Sequence, residues 1–144
     1  MMNIKGVLFD LDGTLLDTSE LIVESFRYTF KQHCNYDISV SEVHDFFGKS
    51  LRLAMETLGK DKADELIDTY REHNAKYHDE KIAIFPEVAE TIKTMYDNGI
   101  KLAVVTSKTK KTALRGLKLF GLESYFSTVI GINESGYYKY LISP

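Results

Sequence analysis

Residues 7–17 read Val7-Leu8-Phe9-Asp10-Leu11-Asp12-Gly13-Thr14-Leu15-Leu16-Asp17. The apolar run over residues 4–9 stops at Asp10, which predicts a buried strand of the kind found in parallel sheets. Asp10 and Asp12 stand two residues apart, so both carboxylates can point to the same side, roughly 7 Å apart. A lone carboxylate at a strand end is often only a helix cap. Two of them, followed by Gly-Thr, suit a magnesium site, a nucleophile and a general acid-base.

Length and composition indicate an ordinary globular chain. Its 144 residues fit one domain, or one domain with a small insert. Hydrophobic residues make up 44% and charged residues 27%, which argues against disorder. The net charge of −3 gives no reason to expect nucleic-acid binding. A single cysteine, Cys34, excludes an intrachain disulfide and a cysteine zinc cluster. No apolar run is long enough for a membrane span and no signal peptide is evident, so the predicted compartment is the cytoplasm.

Two strand-to-helix units flank a long helical segment. Thr18 can cap a first helix, and the spacing of Ser39 and Glu42 is that of a capping box before a second. Further predicted elements are helices at 50–58, 61–79, 87–98 and 109–120 and strands at 100–105 and 127–132. The helical segment spans about sixty residues, far more than an ordinary βα loop. In an open α/β sheet, function gathers at the carboxyl ends of strands, where Asp10 and Thr106 lie.

The stretch over residues 7–17 resembles the first motif of the haloacid dehalogenase superfamily. The resemblance implies that Asp10 is the nucleophile and binds Mg²⁺ through its carboxylate. It also implies that Asp12 is the acid-base and a second metal ligand through its backbone carbonyl. Gly13 and Thr14 complete the motif and are predicted to bind substrate.

Two further motifs of the family have counterparts here. Thr106, after an apolar strand, resembles the hydroxyl that hydrogen-bonds the transferring phosphoryl group, with Ser107 close behind as a substrate-binding residue. Lys139 has a fitting spacing for the lysine that holds the nucleophile and the phosphate together. The next residue is Tyr140, where the family usually has proline, so an ordinary solvated lysine remains the alternative.

The resemblance implies an α/β fold with two parts. Residues 1–16 and 83–144 would form a Rossmann-like parallel sheet core, incomplete at its C-terminus. Residues 17–82 would form an all-helical cap inserted after the first strand. Lys49 and Arg52, between two cap helices, are candidate substrate-binding residues, with a polar turn as the alternative.

Other charged side chains are given structural roles. The densest basic cluster is interpreted as the solvated face of a helix, with phosphate steering as the alternative; it comprises Lys108, Lys110, Lys111, Arg115 and Lys118. The histidines are interpreted as surface residues of the cap helices; they are His33, His44, His73 and His78.

The fourth motif of the family, which carries one or two further metal-binding aspartates, has no counterpart. We therefore expect a chain that is truncated, altered in its coding near the end, a fragment of a longer enzyme, or completed by a partner chain. Without the strand that carries this motif, the strand predicted over residues 4–9 has an unpaired edge, which invites association.

The leading hypothesis is a Mg²⁺-dependent phosphatase that acts through an aspartyl phosphate. Its substrate would be a small phosphorylated metabolite, either a phosphoglycolate-like monoester or pyrophosphate. No nucleic acid or membrane partner is expected, and homo-oligomerisation through the open sheet edge is considered. The alternative is an inactive fragment or interaction module. A phosphoacceptor domain of the response-regulator type would not explain the helical insert.

Overall fold

The computed structural model describes residues 3–133. Its strands are β1 (Gly6–Phe9), β2 (Leu16–Asp17), β3 (Ala83–Ile84), β4 (Lys101–Thr109) and β5 (Phe126–Ile132). Its α-helices are α1 (Ser19–Cys34), α2 (Val40–His44), α3 (Leu51–Gly59), α4 (Ala63–Lys81), α5 (Val88–Asp97) and α6 (Lys110–Leu119). Short 3-10 helices cover Lys60–Lys62 and Glu123–Tyr125. The predicted helices and parallel strands occur in the predicted order, and the fold is α/β, but β2, β3 and the 3-10 helices were not predicted. The prediction of a buried first strand is wrong, because no residue of β1 is buried within the described part of the chain.

The sheet is parallel, with strand order β1-β4-β5. One face packs into the larger hydrophobic core, where Val104 and Val129 meet Leu117 of α6. Side chains on the other face are exposed, among them Leu8, which is 72% exposed, and Ile130. Among the described strands β1 pairs with β4 alone, so the predicted unpaired edge is present within residues 3–133.

Helices α1 to α4 form a separate unit, here called the helical insert (residues 17–82). It has its own hydrophobic core, built around Phe26, Met55 and Leu66. The chain enters and leaves the insert through β2 and β3, which pair antiparallel with Leu16 opposite Ile84. The division between a sheet core and a cap stays a prediction, since Leu21 and Ile82 of the insert pack in the larger core together with the sheet.

Local capping signals explain where several helices begin. At the start of α2, the Ser39 hydroxyl accepts from the Glu42 N–H, and the Glu42 carboxylate accepts from the Ser39 N–H, so the predicted capping box is confirmed. Ser50 caps α3 and Thr109 caps α6 in the simpler way, each with its hydroxyl.

Strand β4 extends further than predicted. The apolar run ends at Val105, but the strand continues to Thr109, which lies opposite Ile132 of β5 after an irregularity in the pairing. Ser107 and Lys108 therefore belong to the end of a strand and not to the approach of helix α6.

Candidate active site

The carboxyl ends of β1 and β4 lie side by side at one edge of the sheet. Phe9 pairs with Val104, so Asp10 and Thr106 follow this pair within two residues. Asp10 is exposed, and its Oδ1 accepts the next backbone N–H at 2.7 Å. Thr106 is buried, and its Oγ1 accepts the Lys108 N–H at 3.2 Å. The structure thus brings the first two predicted motifs to the same edge.

Asp12 is held by two side chains from different parts of the fold. Its Oδ1 accepts a hydrogen bond from Thr18 Oγ1 at 2.6 Å and lies 3.0 Å from Lys108 Nζ. Thr18 precedes α1 as predicted, but its hydroxyl makes no capping bond to the helix. The prediction that the Thr18 side chain acts as a cap is therefore wrong, because the nearby carboxylate is the stronger acceptor.

Lys108 is a site residue that the sequence interpretation placed on a solvated helix face. That interpretation is wrong, because β4 continues through this position and directs the ammonium group to Asp12. A signal was available in the sequence. Thr106 and Lys108 stand two apart after an apolar strand, and a continued strand places both on one side.

A cavity of about 680 Å³ opens between the sheet edge and the helical insert. From the sheet core, its lining includes Asp12, Gly13, Ser107 and Lys108. Gly13 has a φ of 75°, the left-handed conformation that favours glycine, and its N–H donates to the Leu16 carbonyl. Of the predicted site residues, the cavity lining does not include Asp10, Thr14 or Thr106.

The insert contributes cations to the same cavity. Lys49, Arg52 and Arg71 line it, and so do Lys111 and Arg115 of α6. Arg52 also pairs with Glu56 at 3.3 Å and Asp64 at 3.2 Å, and Lys49 Nζ lies 5.1 Å from the centre of the Phe46 ring.

The charges of the cavity wall are unequal. Among the described residues that line it, six lysine and arginine side chains face two carboxylates, those of Asp12 and Asp17. Such an excess of positive charge suits an anionic ligand.

Two buried polar side chains of α4, those of Tyr70 and Asn74, line the cavity. Asn74 Nδ2 donates to the Tyr70 hydroxyl at 3.4 Å and to Ser25 Oγ at 3.5 Å. Burial, with a smaller effect of the Asp12 carboxylate, raises the pKa of Tyr70, so its hydroxyl stays protonated. The insert therefore presents neutral hydrogen-bonding groups beside its cations.

The helix pattern predicts a surface position for His78, and this prediction is wrong, since the residue is only 2% exposed. Its Nδ1 lies 2.7 Å from Asp79 Oδ1, and Arg115 of α6 contacts the same oxygen at 2.9 Å. Burial lowers the pKa of His78 against the opposing effect of Asp79. The reason for its burial is the contact of α4 with Gly116 of α6, which the helix pattern alone does not reveal.

Within residues 3–133, the candidate metal ligands are Asp10 and Asp12, as the family resemblance implies. No cluster of three or more His, Cys, Asp or Glu side chains suited to a metal occurs within residues 3–133. Lys139, the predicted third-motif lysine, lies outside the described residues. Over the same range, no helix is long and apolar enough to cross a membrane.

Comparisons with known proteins agree with this architecture. Residues 7–139 match the family described as haloacid dehalogenase-like hydrolase. A protein of Caldanaerobacter subterraneus bearing the name PpaX is 45% identical over 138 residues, covering 96% of this chain and 63% of its own. Pyrophosphatase PpaX of Halalkalibacterium halodurans is 39% identical over 133 residues, which cover 92% of this chain and 62% of that protein.

A solved structure supports the fold. The haloacid dehalogenase-like hydrolase of Streptococcus pneumoniae superposes with a TM-score of 0.81 at 27% identity, over 91% of this chain and 62% of that one. The chain thus spans slightly less than two thirds of the length of these relatives.

Proposed function

Because the chain belongs to the haloacid dehalogenase-like hydrolases, we propose that it hydrolyses a small phosphorylated substrate through an aspartyl phosphate on Asp10. The observation that carries this proposal is the position of Asp12 at the carboxyl edge of the sheet, beside Asp10 and facing a cavity lined with cations. The helical insert over residues 17–82 acts in this proposal as the cap that covers the substrate and excludes water.

The two aspartates have different roles in the proposed reaction, Asp10 as the nucleophile and Asp12 as the general acid-base. A carboxylate oxygen of Asp10 attacks phosphorus, and the bond from phosphorus to the leaving-group oxygen breaks. Asp12 donates its proton to that oxygen and later takes one from the water that attacks the aspartyl phosphate, which releases phosphate and restores Asp10. Ser107, Gly13 and Thr14 are proposed to bind the phosphoryl group, with Thr106 and Lys139 in the roles that the family resemblance implies.

The residues present fit Mg²⁺. This ion prefers oxygen ligands and keeps several waters, so one or two carboxylates with substrate phosphate are enough to bind it. Asp10 would supply a carboxylate oxygen, and Asp12 its backbone carbonyl, because the Asp12 carboxylate already contacts Thr18 and Lys108. When bound, Mg²⁺ neutralises charge that develops on the transferring phosphoryl group.

The cavity favours an anionic substrate. At least three of the six cationic side chains already pair with carboxylates, but the lining still carries more cations than carboxylates, which suits a ligand with more than one negative charge. Lys49, Arg52 and Arg71 would contact the part of the ligand remote from Asp10. Both relatives described above carry the name pyrophosphatase PpaX, which supports pyrophosphate as the substrate within the predicted range. Phosphoglycolate-like monoesters are the second substrate class.

The test is hydrolysis of pyrophosphate and of an aryl phosphate by this chain, with and without Mg²⁺. We expect phosphate release that requires Mg²⁺ and falls at least about 10³-fold in Asp10→Asn, since the nucleophile is lost. A folded chain that releases no phosphate would contradict the proposal and favour the alternative, a catalytically inactive phosphate-binding or interaction module.

We also propose that two copies of the chain associate through β1. Leu8 is exposed, and the strand has an unpaired edge among the described residues. Sedimentation should show a mass that increases with concentration, and Leu8→Lys should reduce it. A monomer at all concentrations would exclude this association.

A further inference from the structure

We infer that Lys108 is a positioning residue for the reaction, which fixes the Asp12 carboxylate so that its Oδ2 carries the transferred proton. The inference rests on the proposed function and assigns a role to a side chain that the sequence predicts to be part of a solvated helix face. It is based on the contact between Lys108 and Asp12, two charged side chains that are largely hidden from solvent.

The contact differs from the other ion pairs of the fold. Lys108 Nζ lies 3.0 Å from Asp12 Oδ1, with the two side chains 16% and 19% exposed. In the ion pairs of Arg52 and Arg115 described above, by contrast, the carboxylate partner is half or more exposed. Solvent screens such a pair less than a surface pair, so it holds its geometry more firmly.

The backbone of Lys108 is fixed from two sides. Its N–H donates to Thr106 Oγ1 at 3.2 Å. Its carbonyl lies against Gly131 of β5, where a Cβ atom would come within 2.6 Å of that oxygen and 2.5 Å of Lys110 N. This close approach of β5 holds the end of β4, and with it the root of the Lys108 side chain.

The direction of the contact determines which oxygen of Asp12 reacts. Both described donors, Thr18 Oγ1 and Lys108 Nζ, converge on Oδ1. A proton on Oδ1 would clash with the hydrogens that Thr18 and Lys108 direct at this oxygen. The transferred proton is therefore carried on Oδ2. During the first step it moves from Oδ2 to the leaving-group oxygen while the phosphorus bond to Asp10 forms.

The test compares leaving groups. A good leaving group such as p-nitrophenolate departs without a proton, whereas the phenolate of phenyl phosphate needs more help from the acid. Lys108→Met should therefore lower kcat about tenfold or more for phenyl phosphate and by about threefold or less for p-nitrophenyl phosphate, with KM changing less than kcat. Lys108→Arg, which keeps the charge, should recover part of the loss.

Lys118→Met is the matched control, because it removes the same charge from an exposed position of α6 that does not line the cavity. Equal losses on both substrates in Lys108→Met, or equal effects of the two methionine variants, would overturn the inference and leave the proposed function intact. No hydrolysis of either substrate by the wild-type chain would instead overturn the proposed function.

A second measurement needs no turnover. If the contact holds Asp12, the melting temperatures of Lys108→Met, Asp12→Asn and the double variant should be non-additive. Additive changes would show that the two groups do not interact and would overturn the inference by themselves.

Discussion

Arg115 and Asp79 form an ion pair that joins the sheet core to the helical insert. Arg115 Nε lies 2.9 Å from Asp79 Oδ1, and its Nη1 donates to the Ala75 carbonyl at 3.0 Å. One guanidinium of α6 therefore contacts two consecutive turns of α4. Because both charged partners are about half exposed, the contact contributes modestly to stability and more to the placement of the insert.

Arg115→Ala should lower the melting temperature by a few degrees, corresponding to about 1 kcal/mol. It should also speed proteolysis at the connections near residues 17 and 82. Lys118→Ala, on the same helix, is the control, and a change of the same size there would assign the effect to helix α6 itself. Thermal denaturation and limited proteolysis measure the two effects.

Protonation of His78 should destabilise the fold. Burial lowers the pKa of His78, whereas in the unfolded chain it stays near the usual value of about 6.5. Below that pH the unfolded state binds a proton that the folded state resists, so the free energy of unfolding decreases as the pH falls from about 6.5. Urea denaturation at several pH values should show this decrease.

His78→Gln should make stability less dependent on pH between about 5 and 7. Some dependence will remain, because burial also lowers the pKa of His73. An unchanged slope in the variant would contradict the assignment to His78.

Gly131 should not tolerate a side chain. A Cβ there would meet backbone atoms of Lys108 and Lys110 at 2.6 Å and 2.5 Å, and backbone cannot rotate away as a side chain does. Gly131→Ala should therefore reduce the free energy of unfolding by about 2 kcal/mol or more. Gly6→Ala, where the closest contact is 3.3 Å, should cost less, and chemical denaturation of both variants measures the difference.

Removal of the Thr18 hydroxyl should reduce activity. Thr18→Val keeps the shape of the side chain but leaves Asp12 without one of its two described donors, so we expect kcat to fall about tenfold. Thr18→Ser keeps the hydroxyl and should stay close to wild type. Equal activity in the valine and serine variants would show that the hydrogen bond is not used in the reaction.

Local signals predicted the elements well, because their causes lie within a few residues. The capping box of Ser39 and Glu42 is formed within one turn, and the apolar run before Asp10 ends at a strand end. The family motif also placed Asp10 and Thr106 at the same sheet edge, which follows from the parallel pairing of β1 and β4.

Errors arose where a distant partner determines the role of a side chain. Thr18 is of a residue type that often caps helices, but its hydroxyl donates to the Asp12 carboxylate instead. His78 resembles a polar residue of a surface helix, but α6 covers it through Gly116. Lys108 lies in a basic stretch, and only the extension of β4 past the apolar run directs it to Asp12. The partners of Thr18 and His78 cannot be read from a local pattern, whereas the two-residue spacing of Thr106 and Lys108 was a signal for the continued strand.

The pairing of β2 with β3 has a consequence for how such a chain can be altered. Leu16 lies opposite Ile84 and Asp17 opposite Ala83, so the two crossing points of the insert are immediate neighbours. Because the two ends of the inserted segment are adjacent, the segment does not force the flanking parts of the sheet core apart. Because the chain leaves and re-enters the sheet core at neighbouring residues, the length of the segment between them does not affect the order of the remaining strands.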